Sequence, residues 1–333
     1  MSVDPVNGRK KSPTRVIYPV AAPGRQPPTG GPTVQRLAIV ATHLTETNRQ
    51  LLEAAVRLGM QAIQLGAPEA QTRLRAGDHA LGRLDVLPTL DGPEPGLEEL
   101  RALEDTGVLV VNRAGALVGA HDKLVTALRL AARSLPHPRT AHVGDDADPG
   151  FRFPVVVKPR FGSWGKDVVL CESRSALLRC LRATLRREWF RRQGAIVQEQ
   201  VPPLGRDLRV LVAAGKVVGA VERVAAAGEW RTNVALGGTR RRVEPPPGTC
   251  RLAVDAADAL GVDLAGVDLL PDGAGGYVVL ELNGAVDFTR EYALGGDDVF
   301  ERAIRALEAP ARYAPVRDET EEAPLAVPAG ARA

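Results

Sequence analysis

Late in the chain, the stretch ELNGAVDFTREY follows the apolar run YVVL, so Glu281 and Asn283 stand one residue apart at a strand end. Alternate strand residues point to one face, so two oxygen-bearing side chains leave the sheet on the same side. Asp268 lies upstream in AGVDLL, separated from YVVLELN by the turn PDGAGG. A hairpin closing near residues 270 and 277 sets Asp268 close to Glu281 on that face. Two carboxylates and an amide gathered on a sheet are costly unless something positive lies between them. Hard oxygen ligands of this kind suit Mg²⁺, which keeps waters and accepts phosphate oxygens. The plainer alternative is a solvent-facing polar surface, and the apolar sequence around Asp268 argues against it.

Other residues fit phosphate chemistry. Only six of the 43 basic residues are lysine, so a retained lysine marks a place where a compact ammonium matters. Lys158 closes the apolar strand PVVVK; alone, it reads as a lysine snorkelling from a strand end. GSWGKD follows at once, and its two glycines around a polar turn suit a mobile loop whose amides approach phosphate, or a plain hairpin turn. VQEQV (residues 197–201) ends another apolar strand in polar residues and leads through PPLG to GRDLRV, with Asp207 and Arg209. Main-chain groups there could pair with an adenine edge and an acid could hold ribose hydroxyls; the competing reading is an edge strand with an ordinary salt bridge. Taken in order, strand lysine, glycine loop, acidic hinge, arginine and metal acids serve nucleotide phosphates.

Several motifs are excluded. A P-loop would need Gly at 160 and Ser or Thr at 167, where the chain has Arg160 and Asp167. No GxGxxG follows the first strand, and neither HExxH nor GxSxG occurs.

The elements that must carry these residues alternate. RLAIVAT is a buried-type strand and residues 45–60 an amphipathic helix with a Thr45 cap. QAIQLG, DVLPTL and GVLVVN read as strands, with LEELRALEDTG a helix, which predicts a small α/β domain with a parallel sheet. HDKLVTALRLAARSLP (121–136) is a helix ended by proline. Strands FPVVVKPR, KDVVLCE and AIVQEQV then surround a helix at 173–190. LRVLVAAGKVVGAVERV is a hairpin turning at AAGK, residues 250–261 a helix ended by Gly261, LAGVDLLPDGAGGYVVLELN a second hairpin and residues 298–309 a last helix. The class is α+β. Residues 1–35 are basic, Pro/Gly-rich and without periodicity, and the tail 310–333 is similar, so both ends are expected to be disordered.

Composition bounds the rest. The 333 residues, 44% hydrophobic and 25% charged, suit a soluble globular protein. No apolar run reaches transmembrane length and no secretory h-region is present, so neither membrane nor export is expected. Cys171, Cys180 and Cys250 are odd in number and lack CxxC spacing, which points to a reducing cytoplasm. A net charge of +3, concentrated at the N-terminus, implies no nucleic-acid partner.

The segments DKLVTALRL, PVVVKPRFGSWGKDVVL, VQEQVPPLGRDLRVLVAAGKVVGAVERV, EWRTNVALGG and VDLLPDGAGGYVVLELN together resemble the ATP-grasp superfamily, and within it the RimK-type and LysX-type amino-acid ligases. The resemblance covers about residues 36–309, most strongly 121–290. It implies an ATP-grasp fold: an N-terminal α/β domain at 36–120, a lid subdomain at 121–200 and a C-terminal α+β subdomain at 201–309. It implies that Lys123 and Lys158 bind ATP phosphates and that Gly162, Ser163, Trp164, Gly165 and Lys166 close over them. Glu199, Gln200 and Val201 would face adenine and Asp207 would hold the ribose. Arg231 and Asn233 would meet the γ-phosphate and the acyl intermediate, and Asp268, Glu281 and Asn283 would ligate Mg²⁺, with Mn²⁺ as a substitute. The implied activity joins glutamate or a similar amino acid to an amine-bearing acceptor, a small molecule or a carrier peptide, through an acyl phosphate. A homo-oligomer is compatible with it. An ATP-grasp kinase and an inactive nucleotide-binding protein are the alternatives. Two departures bear on substrate. Leu236 stands where these families carry an arginine before the paired glycines, with Arg240, Arg241 or Arg242 as replacements. GAVDFTREY differs from both branches, which makes Asp287, Thr289 and Arg290 candidates for substrate choice.

Overall fold

A computed structural model of the chain describes residues 36–143 and 150–308. The disordered arm and tail expected from composition lie outside the described residues. Four strands open the fold: β1 (Arg36–Val40), β2 (Gln61–Leu65), β3 (His79–Gly82) and β4 (Leu109–Val111). They form a parallel sheet in the order β2-β1-β3-β4, linked by α1 (Glu46–Arg57), α2 (Ala67–Arg73) and α3 (Leu97–Asp105). Parallel strands are covered on both faces, and LAIV of β1 is accordingly buried throughout. Thr45 caps α1 by accepting from the Asn48 amide, as its sequence position predicts.

Two helices follow, α4 (Ala114–His121) and α5 (Lys123–Ala132). The next sheet is antiparallel, built from β5 (Thr140–Val143), β6 (Val155–Pro159), β7 (Val169–Cys171) and β8 (Ala195–Glu199) in the order β5-β8-β6-β7. Helices α6 (Arg174–Thr184) and α7 (Glu188–Gln193) pack on it, with Trp189 and Phe190 in its core. A five-stranded antiparallel sheet ends the fold, made of β9 (Arg206–Ala213), β10 (Lys216–Val224), β11 (Thr239–Arg242), β12 (Leu264–Pro271) and β13 (Tyr277–Asn283). Its order is β11-β10-β9-β12-β13. Helix α8 (Pro247–Leu260) covers one face together with Ala116, Ala120 and Leu130 of α4 and α5. Helix α9 (Val299–Glu308) lies toward the other, where Leu37 and Ile39 of β1 share a core with Leu211, Phe288 and Phe300. The first and last sheets are thus fastened by one apolar core. The β9–β10 turn needs left-handed backbone at both central residues, φ 44° at Ala214 and 74° at Gly215.

Some expectations change. DVLPTL forms no strand: Val86 makes one isolated bridge to Pro93 and Leu90 has φ 63°. Pro88 can donate nothing to a ladder, and the third strand is the short HALG of β3 instead. The helix expected over 121–136 starts after Asp122, whose carboxylate accepts from the Leu124 and Val125 amides, and it ends by Ala132. The helix expected over 173–190 breaks into α6 and α7. Among the described residues no helix is long and apolar enough to cross a membrane.

Candidate active site

Between the sheet of β5 to β8 and the five-stranded sheet lies a cavity whose wall includes Lys123, Lys158, residues 162–166, residues 198–201, Arg231 and Glu281. Lys158 reaches it because β6 is buried from end to end and terminates there. Its ammonium donates to Gln198 Oε1 on the neighbouring β8, at 2.9 Å. Burial pulls the Lys158 pKa down to about 8; Glu281 opposes the shift and Lys123 adds to it. Lys123 is the first residue of α5, and its Nζ donates to Gly162 O at 2.6 Å and lies 3.5 Å from Glu281 Oε2. Asp122, the cap of that helix, also receives both arms of Arg160 at 2.8 and 2.6 Å. That clip fixes the base of the glycine loop beside Lys123.

The loop is pinned at both ends. Trp164, Gly165 and Asp167 have φ values of 63°, 69° and 54°, backbone that costs little only at glycine. Asp167 accepts from Arg187 at 2.5 Å and from the Trp189 indole at 2.8 Å, anchoring the loop to α7. Arg231 Nη1 donates to Gly165 O at 3.1 Å, while its other nitrogens hold Glu229. Trp164 is 54% exposed, out over the cavity mouth. In the hinge, the Glu199 and Gln200 amides serve Arg139 O and Pro154 O. The Val201 N–H has no partner among the described residues, which leaves it for a ligand in the cavity.

Beneath the cavity lies an ion network absent from the sequence reading. The register sets Asp207 opposite Arg223, and Asp268 between Arg209 and Glu281. Arg209 grips Asp268 with two bonds of 2.6 and 2.7 Å. Arg223 holds Asp207 with two and reaches Asp268 Oδ2 at 2.8 Å. Thr232 adds a 2.6 Å bond to Asp207. Burial pushes the Asp268 carboxyl up, but the Arg209 and Arg223 guanidiniums outweigh it and hold the pKa at about 2. Asp207 lines the cavity, yet both its oxygens are occupied by Arg223 and Thr232, so its side chain braces the sheet and is not turned to a ribose. Arg209 was visible in sequence only as half of an ordinary salt bridge. Arg223 was missed, although an arginine beside Glu222 at the end of the apolar run VVGAV, facing Asp207 across the predicted hairpin, is the signal that could have found it.

The donor set suits magnesium in part. Glu281 is opposite Asp268 as expected, and among the described residues its carboxylate makes no hydrogen bond, only the loose pair with Lys123. Asn283 Oδ1 accepts from the Ala285 amide at 3.0 Å and keeps a second lone pair. Asp268 is ionised but committed to two arginines, a buttress behind Glu281 more than a free ligand. Among the described residues no three His, Cys, Asp or Glu side chains cluster tightly enough to hold a metal by themselves.

A second cavity adjoins the first through their common wall of Lys123, Glu281 and Asn233. Asn283, Asp85, Asp287 and Arg240 also line it. Of the three residues expected to bear on substrate choice, Asp287 lines this cavity. Thr289 turns to its own local turn and Arg290 to Gln50.

A family model described as the RimK-like ATP-grasp domain matches residues 121–307. A probable alpha-L-glutamate ligase of Thioalkalivibrio sulfidiphilus is 36% identical over 68% of this chain and 75% of its own length. Beta-citrylglutamate synthase B of Danio rerio is 31% identical over 69% of this chain and 59% of its own. Among solved structures, a RimK-domain ATP-grasp protein of Sphaerobacter thermophilus superposes with a TM-score of 0.59 at 23% identity, covering 82% of this chain and 99% of that one. The chain belongs to the RimK-like ATP-grasp family and is an ATP-dependent ligase.

Proposed function

We propose that the enzyme joins a carboxylate to an amine through an acyl phosphate, with glutamate or a similar amino acid as one partner. The observation that carries this is the meeting of Lys123, Lys158, Arg231 and the free carboxylate of Glu281 on one cavity under a glycine loop, with no protein nucleophile required. ATP would lie with its adenine edge on the Glu199–Val201 backbone and its phosphates between Lys158, Lys123 and the amides of residues 162–166. Glu281 and Asn283, backed by Asp268, would hold magnesium, which supplies a Lewis acid for the transferring phosphoryl group.

In the first step a carboxylate oxygen attacks the γ-phosphorus, the bond to the β–γ bridging oxygen breaks, and ADP leaves with the electron pair. Lys158 and Lys123 stay on the phosphate oxygens throughout. Arg231, released from Glu229, meets the developing charge. In the second step an amine attacks the acyl carbon, phosphate departs with the electron pair and the amine loses a proton. The loop, tied down by Arg231 and Asp167, excludes water that would hydrolyse the acyl phosphate. The three sheets suggest three working units at 36–120, 121–200 and 201–309, with α5 packed on α8 as the joint. Free cysteines and ATP use favour action in the cytoplasm.

ATP, magnesium and hydroxylamine, tested with the standard amino acids and small carboxylates, decide the matter. A ligase accumulates the acid's hydroxamate as ADP is released. ADP release without hydroxamate, coupled to a phosphorylated product, would show a kinase. No acid-dependent ADP release from any substrate would overturn the reading.

A further inference from the structure

The second cavity is lined by four cations, Lys123, Arg209, Arg223 and Arg240. Three are spent on neighbours: Lys123 on Gly162 and Glu281, Arg209 on Asp268, and Arg223 on Asp207 and Asp268. Arg240 differs. Register on β11 sets it opposite Arg223, so its side chain leaves the active-site face of the sheet. Its ion pair is a 3.6 Å contact with Glu291, which is 53% exposed and does not line the cavity. The adjacent Arg241 points to the opposite face, where it pairs with Glu222 and is 67% exposed. Arg240 is therefore the cation in this cavity whose partner can be exchanged at small cost, since an exposed pair is worth little.

The cavity also has an anionic contact. Asp287 accepts from Thr45 Oγ1 and Arg83 Nη2, each at 3.1 Å, and both bonds land on Oδ1. Among the described residues Oδ2 has no donor. Arg83 is buried, and it bonds Asn48 and the Ala285 carbonyl as well, so it cannot follow Asp287 away from this position. The acid is fixed by one oxygen and offers the other. Among the described residues Arg83 Nη1 is buried without a hydrogen-bond partner, so this corner of the cavity still has a donor to offer an acceptor.

We propose that the second cavity binds the dipolar amino acid of the reaction, its carboxylate on Arg240 in exchange for Glu291 and its ammonium on Asp287. This rests on the ligase reading above and names the residues that would choose the substrate. A guanidinium takes a carboxylate through two parallel charged hydrogen bonds, and a carboxylate in the same cavity favours acids that also carry an amine. Because Glu281, Lys123 and Asn233 border both cavities, an amino acid so held lies against the phosphoryl site.

The test uses the full chain with MgATP and whichever standard L-amino acid gives the largest hydroxamate-coupled or acceptor-coupled ADP release. Arg240→Ala should raise KM for that amino acid by about 10- to 150-fold, the loss of one charged hydrogen-bonding partner, and leave KM for ATP within about twofold. Arg240→Lys should recover part of the loss, and Glu291→Gln should lower KM. Asp287→Asn should raise KM for the amino acid but not for the matched carboxylate lacking the amine. The inference is overturned if Arg240→Ala leaves the amino-acid KM unchanged, or raises KM for ATP equally, while the wild type turns over. A wild type silent with every amino acid overturns the ligase reading, and this inference with it.

Discussion

The proposed role of Lys158 can be tested through pH, because its ammonium is buried and lines the cavity proposed to hold the nucleotide. Burial brings its pKa down to about 8, against Glu281 and with Lys123. A lysine whose folded pKa is lowered is charged below that value and neutral above it, so the form that binds phosphate is lost as pH rises through about 8. If only the ammonium binds, the apparent Kd carries a factor of one plus the neutral-to-charged ratio. That factor is about 1.3 at pH 7.5 and about 11 at pH 9, so nucleotide affinity should fall about eightfold across the interval. A lysine titrating at about 10.4 would change affinity by less than a tenth over the same range. The phosphates do not confound the comparison, because a phosphate monoester loses its last proton near about pH 6. Calorimetric titration of MgADP and of a non-hydrolysable MgATP analogue, at constant ionic strength, measures the slope directly. Lys158→Arg, whose charge does not titrate in this range, should bind more weakly and lose the slope. A wild-type affinity that is flat between pH 7.5 and 9, or an eightfold slope that survives in Lys158→Arg, would refute the assignment of Lys158 to the phosphates.

Three further outcomes follow from the same geometry. Glu281→Ala removes a site carboxylate that makes no hydrogen bond among the described residues, and turnover should drop at least about 100-fold; near-normal activity in steady-state assays would dismiss the metal assignment. Arg223→Met strips a cation from two buried carboxylates at once, and urea denaturation should show a loss of about 3–5 kcal/mol. Cys180→Ser should leave turnover within about twofold of wild type: burial pushes its thiol up to about 12 and no thiolate is available for catalysis.

Much of the site could be read from the chain because its residues sit at strand ends, where alternation fixes the face. Glu281 lies opposite Asp268 as the hairpin required, and Lys158 emerges at the end of a wholly buried strand. Local signals succeeded in the same way at Thr45 and Gly261, where a cap or a left-handed residue is needed by the adjacent backbone. Failures came where partners are set by sheet order. Nothing local indicates that β12 lies beside β9 and not at an edge, so the pairing of Asp268 with Arg209 was invisible; Asp207 was open to either a ribose or a salt bridge, and its partner Arg223 faces it across the β9–β10 hairpin. DVLPTL failed for another reason: its apolar spacing suited a strand, but Pro88 breaks the ladder, and the four-residue HALG carries too little pattern to be read as a strand.

The division of labour between the two basic residue types follows from the same network. Where a charge must be held inside the fold, the chain uses arginine: Arg209 and Arg223 on Asp268, Arg160 on Asp122, Arg83 on Asp287. A guanidinium can bridge two carboxylates or take one by both oxygens, and it is less costly to desolvate. Asp207, Asp268, Arg209 and Arg223 balance two charges against two, so the floor of the cavity is neutral and rigid before any nucleotide arrives. The charge that would face the phosphates under the proposed reaction is then left to groups that can move or titrate: Lys123 and Lys158, with Arg231 held by Glu229. Lysine suits that duty because its ammonium is a point charge with three rotatable donors, able to follow phosphate oxygens as the phosphoryl group passes from ATP to the acid. The scarcity of lysine elsewhere in the chain is therefore informative: in a protein that pairs its charges with arginine, lysines retained at one cavity mark the place where a charge must adapt.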